Sequence, residues 1–175
     1  MQKLGLALLL LSVLGCTAAL DDYTDSTPQL ELDSFFNGEL KAWGIVQNRS
    51  GKVTRTFVAD LNGHWEGTEG VLDETFIYND GEKQYRSWNL TKLENGQYSG
   101  SASDVPAPAK GGTNGIAMNW KYSVLLNVDG STWDISFDDW MYLVDKNSVI
   151  NKATLTKFGF NVGEVTLFIQ KLPSS

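Results

Sequence analysis

Two arginines stand on faces that alternate with apolar side chains. Arg55 shares a period-2 face with Val53, Phe57, Ala59 and Leu61, and Arg86 shares one with Trp88 and Leu90. A guanidinium taken out of water needs an anionic partner. Its planar fork grips a carboxylate or phosphate through two parallel hydrogen bonds, so an inward-facing arginine is a candidate clamp for the acidic end of a ligand. Two other readings stay open: an internal ion pair with Asp73, Glu74, Asp138 or Asp139, or reversed faces that leave both arginines in water. Trp88, Trp120, Tyr122, Trp133, Asp139 and Trp140 complete the candidate ligand-binding set. The six tryptophans are spread along the chain, and either line a pocket or fill a core.

Other reactive residues are sparse. Asp138 and Asp139 are adjacent, and neighbours on a strand point to opposite faces, so they make a poor acid/base pair. Phe137 and Trp140 cannot both stay in phase with Ile135, which predicts a bulge at this point, with one aspartate capping it or pairing with an arginine. Leu72-Asp73-Glu74-Thr75 is read the same way, as structural. His64 is the only histidine and follows a turn signal, Asn62-Gly63; Cys16 is the only cysteine. That leaves no Cys/His dyad and no metal-ligand cluster, and no calcium-loop pattern is present. We expect no catalytic set, no metal and no cofactor.

The elements that must position these residues are strands. Asn48-Arg49-Ser50-Gly51, Leu61-Asn62-Gly63, Asn79-Asp80-Gly81, Glu94-Asn95-Gly96, Val128-Asp129-Gly130 and Asp145-Lys146-Asn147 punctuate the chain. Asn-Gly and Asp-Gly mark tight hairpin turns because these residues tolerate positive φ. The runs between them are rich in Val, Ile, Thr and aromatics, and no segment combines helical spacing with caps. Ile116, Met118, Trp120, Tyr122, Val124 and Leu126 share one face of a long strand; Trp133, Ile135 and Phe137 form another face. Strands are expected near residues 38–47, 52–61, 64–69, 72–78, 83–92, 97–102, 116–128, 132–143, 147–158 and 164–172, with the pair around Gly70 open to being one bent strand. A long meander has two bare edges unless it closes. The expected fold is therefore an up-and-down antiparallel β-barrel of about eight to ten strands, with a two-sheet β-sandwich as the alternative. Such a barrel is either filled by side chains or holds one small ligand. Residues 104–115, DVPAPAKGGTNG, read as the longest loop, either a gate at the barrel mouth or a plain connector.

The 175 residues carry a formal net charge of −7, which opposes binding to nucleic-acid phosphates or to an anionic bilayer surface. The start has its own logic. Lys3 precedes an apolar run from Leu4 to Leu14, too short to span a bilayer but suited to a signal peptide. Val13-Leu14-Gly15-Cys16 at its end resembles the bacterial lipobox. That resemblance implies cleavage before Cys16, acylation of its thiol and attachment to a bilayer. Thr17 in the next position implies sorting to the outer membrane, with the domain facing the periplasm. An ordinary secretory signal cut near Thr17-Ala18-Ala19 is the alternative. The expected organisation is a signal peptide over 1–15, a polar tether over 16–34 with Leu30 and Leu32 free or packed on the domain's edge, and one barrel over 35–175.

Most of the remaining chain also carries a resemblance. Phe36-Asn37-Gly38, Ala42-Trp43-Gly44, Gly63-His64-Trp65-Glu66-Gly67, Leu72-Asp73-Glu74-Thr75-Phe76, Tyr78, Asp80-Gly81-Glu82, Arg86, Trp88, Phe137-Asp138-Asp139-Trp140-Met141 and Lys157-Phe158-Gly159 resemble a proteobacterial lipoprotein family of unknown function with a calycin-like barrel, similar to lipocalins. The lipocalin Gly-x-Trp near the first strand, paired cysteines and a helix after the last strands are not found. The expected function is binding of a small apolar or amphipathic ligand, a fatty acid or lipid, in a membrane-anchored barrel. The alternative is a filled barrel serving as a structural or protein-interaction module of the envelope.

Overall fold

The computed structural model describes residues 17–173 except Asp129. Ten strands follow one another: β1 (Gly38–Asn48), β2 (Val53–Glu66), β3 (Glu69–Tyr78), β4 (Lys83–Lys92), β5 (Gln97–Ser101), β6 (Ala109–Asn114), β7 (Ala117–Val128), β8 (Ser131–Asp145), β9 (Ser148–Lys157) and β10 (Phe160–Lys171). Each pairs antiparallel with the next, and β10 pairs back onto β1 from Leu40↔Lys171 to Asn48↔Gly163. The sheet is a closed all-β barrel, and the sandwich is not formed.

The alternating pattern explains which side of each strand is buried. On β1, Leu40 and Ala42 are buried while Trp43 is 41% exposed; on β2, Phe57, Ala59 and Leu61 are buried. Outside, Trp43 stacks on Phe168 of the neighbouring β10 at 6.0 Å, an aromatic pair that covers some of the closing seam.

Three expectations from the sequence are corrected here. Asn62-Gly63 is not a turn: β2 runs straight through it, and Gly63 pairs with Leu72. The turn lies at Gly67, which takes φ +61°. Gly63 serves a different need, because a Cβ there would collide with the Phe36 carbonyl. The bulge expected near Asp138-Asp139 is absent. Pairing of β8 with β9 is continuous from Ser136 to Leu143, and the register shifts between Leu143 and Asp145. Trp140 keeps regular phase by pointing outward. Finally, the stretch read as a loop over 104–115 contains β6, whose Lys110-Gly111-Gly112 composition hides a strand.

The stretch read as a polar tether is also corrected beyond its first residues. Leu20–Tyr23 form a 3-10 turn packed on β6 and β7, and Leu32–Phe35 form a one-turn helix, α1. Leu30, Leu32, Phe35 and Phe36 are buried, so this strap closes one end of the barrel. Asp33 fastens it: Lys92 Nζ donates to its carboxylate at 2.8 Å and Tyr98 Oη at 2.9 Å. Trp65 Nε1 donates to the Phe36 carbonyl, and the Leu30 amide to the Gly115 carbonyl.

Candidate functional site

Above the strap the interior is hollow. A chamber of about 650 Å³ runs from Leu32 and Phe36 at the closed end to Lys83, Tyr85, Leu125 and Asn127 at the other. Tyr85 is 70% exposed, so that end is a mouth open to water. Its volume lies within the range of small-molecule sites. The wall is chiefly apolar: Phe57, Phe76 and Tyr78 form one ring cluster, and Trp88, Trp120, Tyr122 and Phe137 another.

The barrel wall is uneven. β5 and β6 are the shortest strands, and β4 pairs with β5 only from Asn89 to Lys92. The upper half of β4 and the upper half of β7 thus have no strand between them. Residues 102–108 fill this notch, with Val105 buried and the Asp104 carbonyl accepting from the Leu125 amide.

Arg86 lies behind that loop, on β4, with a side chain 12% exposed. Its Nη2 donates to Asp104 Oδ2 at 2.6 Å and its Nε to the same carboxylate at 3.1 Å, a bidentate pair. Glu74 of β3 approaches the same guanidinium at 4.0 Å. Trp88 Nε1 donates to Glu74 Oε2 at 3.3 Å. The Trp88 ring meets Tyr122 edge-on at 5.3 Å, and Tyr122 Oη donates to Asp139 Oδ2 at 3.3 Å. Asn151 of β9 donates through Nδ2 to the other Asp139 oxygen. A polar line therefore crosses an otherwise apolar interior, from Asp104 through Arg86, Glu74, Trp88 and Tyr122 to Asp139 and Asn151.

Three carboxylates accompany one guanidinium in this line, and that imbalance sets their acidities. Burial pushes Glu74 up to about 7, with the nearby Asp139 and Asp104 charges adding to it and Arg86 only partly offsetting it. Burial likewise raises Asp139 to about 6, against the lowering effect of the Asn151 and Tyr122 hydrogen bonds. Burial also raises the Tyr122 phenol well above its ordinary value, so it remains a donor.

The candidate residues separate clearly. Arg55, Arg86, Trp88, Trp120, Tyr122 and Asp139 all line the chamber. Arg55 sits at the mouth, over the Tyr78 ring at 3.7 Å, with Asp80 and Glu82 on its guanidinium at 2.7 and 2.9 Å. Arg86 is not free to clamp an acidic ligand, whereas Arg55 is paired through Nη2 only and its buried Nε has no partner among the described residues. Trp133 is not among the chamber residues; its ring lies under Lys157 Nζ at 2.9 Å. Trp140 is on the outer face, against Tyr23 and Tyr142, because it neighbours the inward Asp139. Asp138 also faces outward, accepting from Asn119 at 2.7 Å. His64 is exposed beside Glu66. Cys16 and the signal segment lie outside the described residues.

Sequence alone offers Glu74 only as a possible ion-pair partner of an inward arginine and Asp104 only as part of a loop that gates the mouth or merely connects, and it does not single out Asn151. A signal for two of them existed: Leu72-Glu74-Phe76 and Val149-Asn151-Ala153 put a polar residue in phase with an apolar face. Asp104 gave none, since its role depends on the notch. Among the described residues, no group of three or more His, Cys, Asp or Glu side chains is placed to hold a metal ion.

Comparison with known proteins supports the fold. No curated protein matches the sequence. Among solved structures, the barrel is similar to the S-type phycobiliprotein lyase CPES of Guillardia theta, at a TM-score of 0.60 and 10% identity over 83% of this chain and 95% of that one. It is also similar to a protein of unknown function from the DUF3598 family of Nostoc punctiforme, at a TM-score of 0.57 and 10% identity over 84% of this chain. The match covers 51% of that second protein, so the present chain corresponds to about half of it. At the sequence level, the family model described as protein of unknown function (DUF3833) matches residues 10–171, and the chain belongs to that family.

Proposed function

We propose that this protein binds a small, largely apolar ligand inside its barrel, without converting it chemically, while held to a membrane through an acylated Cys16. The chamber carries this reading: about 650 Å³ of aromatic-lined space, shut by the strap at one end and reaching water at the other. A filled structural barrel would have packed this volume with side chains, since interiors ordinarily reach crystal-like density. The chamber wall contains neither cysteine nor histidine, and its two inner carboxyls, Glu74 and Asp139, already accept hydrogen bonds from Trp88, Tyr122 and Asn151. That favours holding over catalysis. The similarity to a phycobiliprotein lyase agrees with the barrel fold on which this reading is built.

The acidic composition fits attachment by lipid rather than by surface charge, and three acyl chains on Cys16 would hold firmly where one holds marginally. Outer-membrane sorting and a periplasm-facing domain follow from the residues around Cys16. A lipid is the ligand class we favour. A free fatty acid is the weaker choice, because Arg86, the arginine of the inner wall, is engaged by Asp104, and Arg55 stands at the mouth with Asp80 and Glu82 already on its Nη2.

Native mass spectrometry of residues 17–175, expressed in the bacterial periplasm and released gently, tests the first part. A stoichiometric adduct that disappears on organic extraction is expected. A bare protein mass, together with no change in tryptophan emission on adding amphiphiles of any head group, would overturn it. For the anchor, the full chain should incorporate labelled palmitate and sediment with membranes, and Cys16→Ser should lose both.

A further inference from the structure

We propose that the inner wall selects an amphiphile whose polar end is a cationic nitrogen, held between the Trp88–Tyr122 corner and the carboxylates of Glu74 and Asp139. This deepens the proposed function and rests on its ligand-filled chamber.

The inference starts from what the cavity lacks. Of the two guanidiniums that reach it, Arg86 at the inner wall is occupied by the protein's own carboxylates, while Arg55 at the mouth is engaged through Nη2 alone. Arg86 is held bidentately by Asp104, with Glu74 alongside, and Arg55 is held by Asp80 and Glu82. A ligand carboxylate entering here would have to break a buried ion pair and would face Glu74 and Asp139 afterwards. A ligand cation meets the opposite situation, because the inner wall has more anionic groups than cationic ones.

The aromatic geometry points the same way. Trp88 crosses Tyr122 at 86° and Trp120 at 70°, so the three rings make a corner beside the polar line rather than a parallel stack. All three border the chamber. Aromatic corners with adjacent carboxylates recognise ammonium groups, since the ring faces carry negative potential and the carboxylates supply the countercharge. Desolvation strengthens both effects. The remaining wall, including Phe57, Phe76 and Leu167, suits an alkyl tail.

Binding should be linked to protons. The charged and titratable groups acting on Glu74 and Asp139, besides each other, are Arg86 from β4, Asp104 from the notch loop and Tyr122 from β7, with Asp138 beside Asp139 on β8. Burial, the largest cause for both, pushes Glu74 up to about 7 and Asp139 up to about 6. A bound cation favours their ionised forms, so its affinity should rise with pH across that window and protons should be released on binding.

Four probes, each used below its micellar concentration on residues 17–175, test the proposal by calorimetry and tryptophan emission. Three share one alkyl chain: dodecyltrimethylammonium, dodecanol and dodecanoate. The fourth is lysophosphatidylcholine, whose ammonium is tethered to phosphate. We expect dodecyltrimethylammonium to bind about tenfold more tightly than dodecanol at pH 8, with dodecanoate weakest, and this preference to shrink at pH 5. Glu74→Gln should abolish most of the preference, weakening dodecyltrimethylammonium binding far more than dodecanol binding. Asp139→Asn provides a second variant should that one fold poorly. Binding of lysophosphatidylcholine together with the simple ammonium would assign a lipid head group, and its exclusion would assign a free amine; both outcomes support the proposal. Dodecanoate binding as tightly as the ammonium, or a preference unchanged in both variants, would overturn it and leave the ligand-binding reading standing. No binding by any probe would overturn both.

Discussion

Glu74 and Asp139 each sit in phase with apolar neighbours, and the fold makes them weaker acids than they would be in water. Glu74 moves from 4.5 to about 7 and Asp139 from 3.8 to about 6, with burial the largest cause for both. The folded state therefore holds these protons more tightly than the unfolded chain does. Stability from Glu74 is greatest below about pH 4.5 and is lost as pH rises through about 7. Wild type should lose on the order of 3 kcal/mol between about pH 4 and pH 8 that Glu74→Gln retains, measured as the difference between their urea midpoints. Asp33 is the opposite case. Burial pushes it up, but hydrogen bonds from Lys92 and Tyr98 more than reverse this and leave it lowered. Asp33→Ala removes the acceptor for the buried Tyr98 hydroxyl and should cost about 2 kcal/mol by denaturant titration. At this scale the candidate set is readable wherever polarity interrupts an apolar face, as at Arg86, Asp139 and Glu74, the last as an ion-pair partner of an inward arginine. It is unreadable for Trp140, since tryptophan is at home on either side of a barrel wall and only a fixed register decides which. Trp133 keeps the phase of Ile135 and Phe137 but stands past the chamber, against Lys157.

Among the elements, most strands were legible because alternation and turn residues agreed. They failed where glycine had a second use. Gly63 follows asparagine and so resembles a turn, yet it is small to let the Phe36 carbonyl approach. Gly63→Ala should force the strap away from β2 and break the Trp65 contact. A loss of about 2 kcal/mol and a red-shifted tryptophan emission would show it. β6 was hidden by Gly111 and Gly112. A Cβ at Gly111 would meet the Asn119 backbone and the Trp120 ring, so the strand needs the residues that disguise it. The notch loop is positioned by an interaction distant in sequence, which no local pattern announces. Asp104→Asn should weaken its grip on Arg86. The Val105 amide, which donates to the Ala102 carbonyl, and the Leu125 amide, which donates to the Asp104 carbonyl, should then exchange with solvent roughly tenfold faster, while amides of β8 and β9 remain unchanged.

For the molecule as a whole, closure was predictable from the count of strands and the need to hide edges, but the hollow interior was not. Whether a barrel is filled depends on how side chains from opposite strands meet. The polar, acidic composition of residues 16–34 reads as a tether, with Leu30 and Leu32 packed on the domain's edge as the alternative; the packed alternative is the one found, and with Phe35 and Phe36 it buries four apolar side chains at the end of the strap. Burying each such side chain contributes about 1.5–3 kcal/mol, comparable in sum with the whole stability of an ordinary domain. A chain starting at residue 37 should therefore be insoluble or molten, whereas one starting at residue 17 folds; circular dichroism and gel filtration distinguish them.

The strap also gives the molecule a base and a direction. It seats at the floor of the barrel, and its first turn, Leu20–Tyr23, packs low on β6 and β7. Three residues separate Leu20 from Cys16, four chain steps with a reach of about 14 Å at most. The barrel's height is greater, about 35 Å for a fifteen-residue strand at ordinary barrel tilt. With Cys16 embedded in a bilayer, the cup stands on its floor with its rim raised into the aqueous gap. Cargo would then arrive from across that gap, delivered by another carrier or an opposing surface, and would not slide in from the leaflet on which the protein stands.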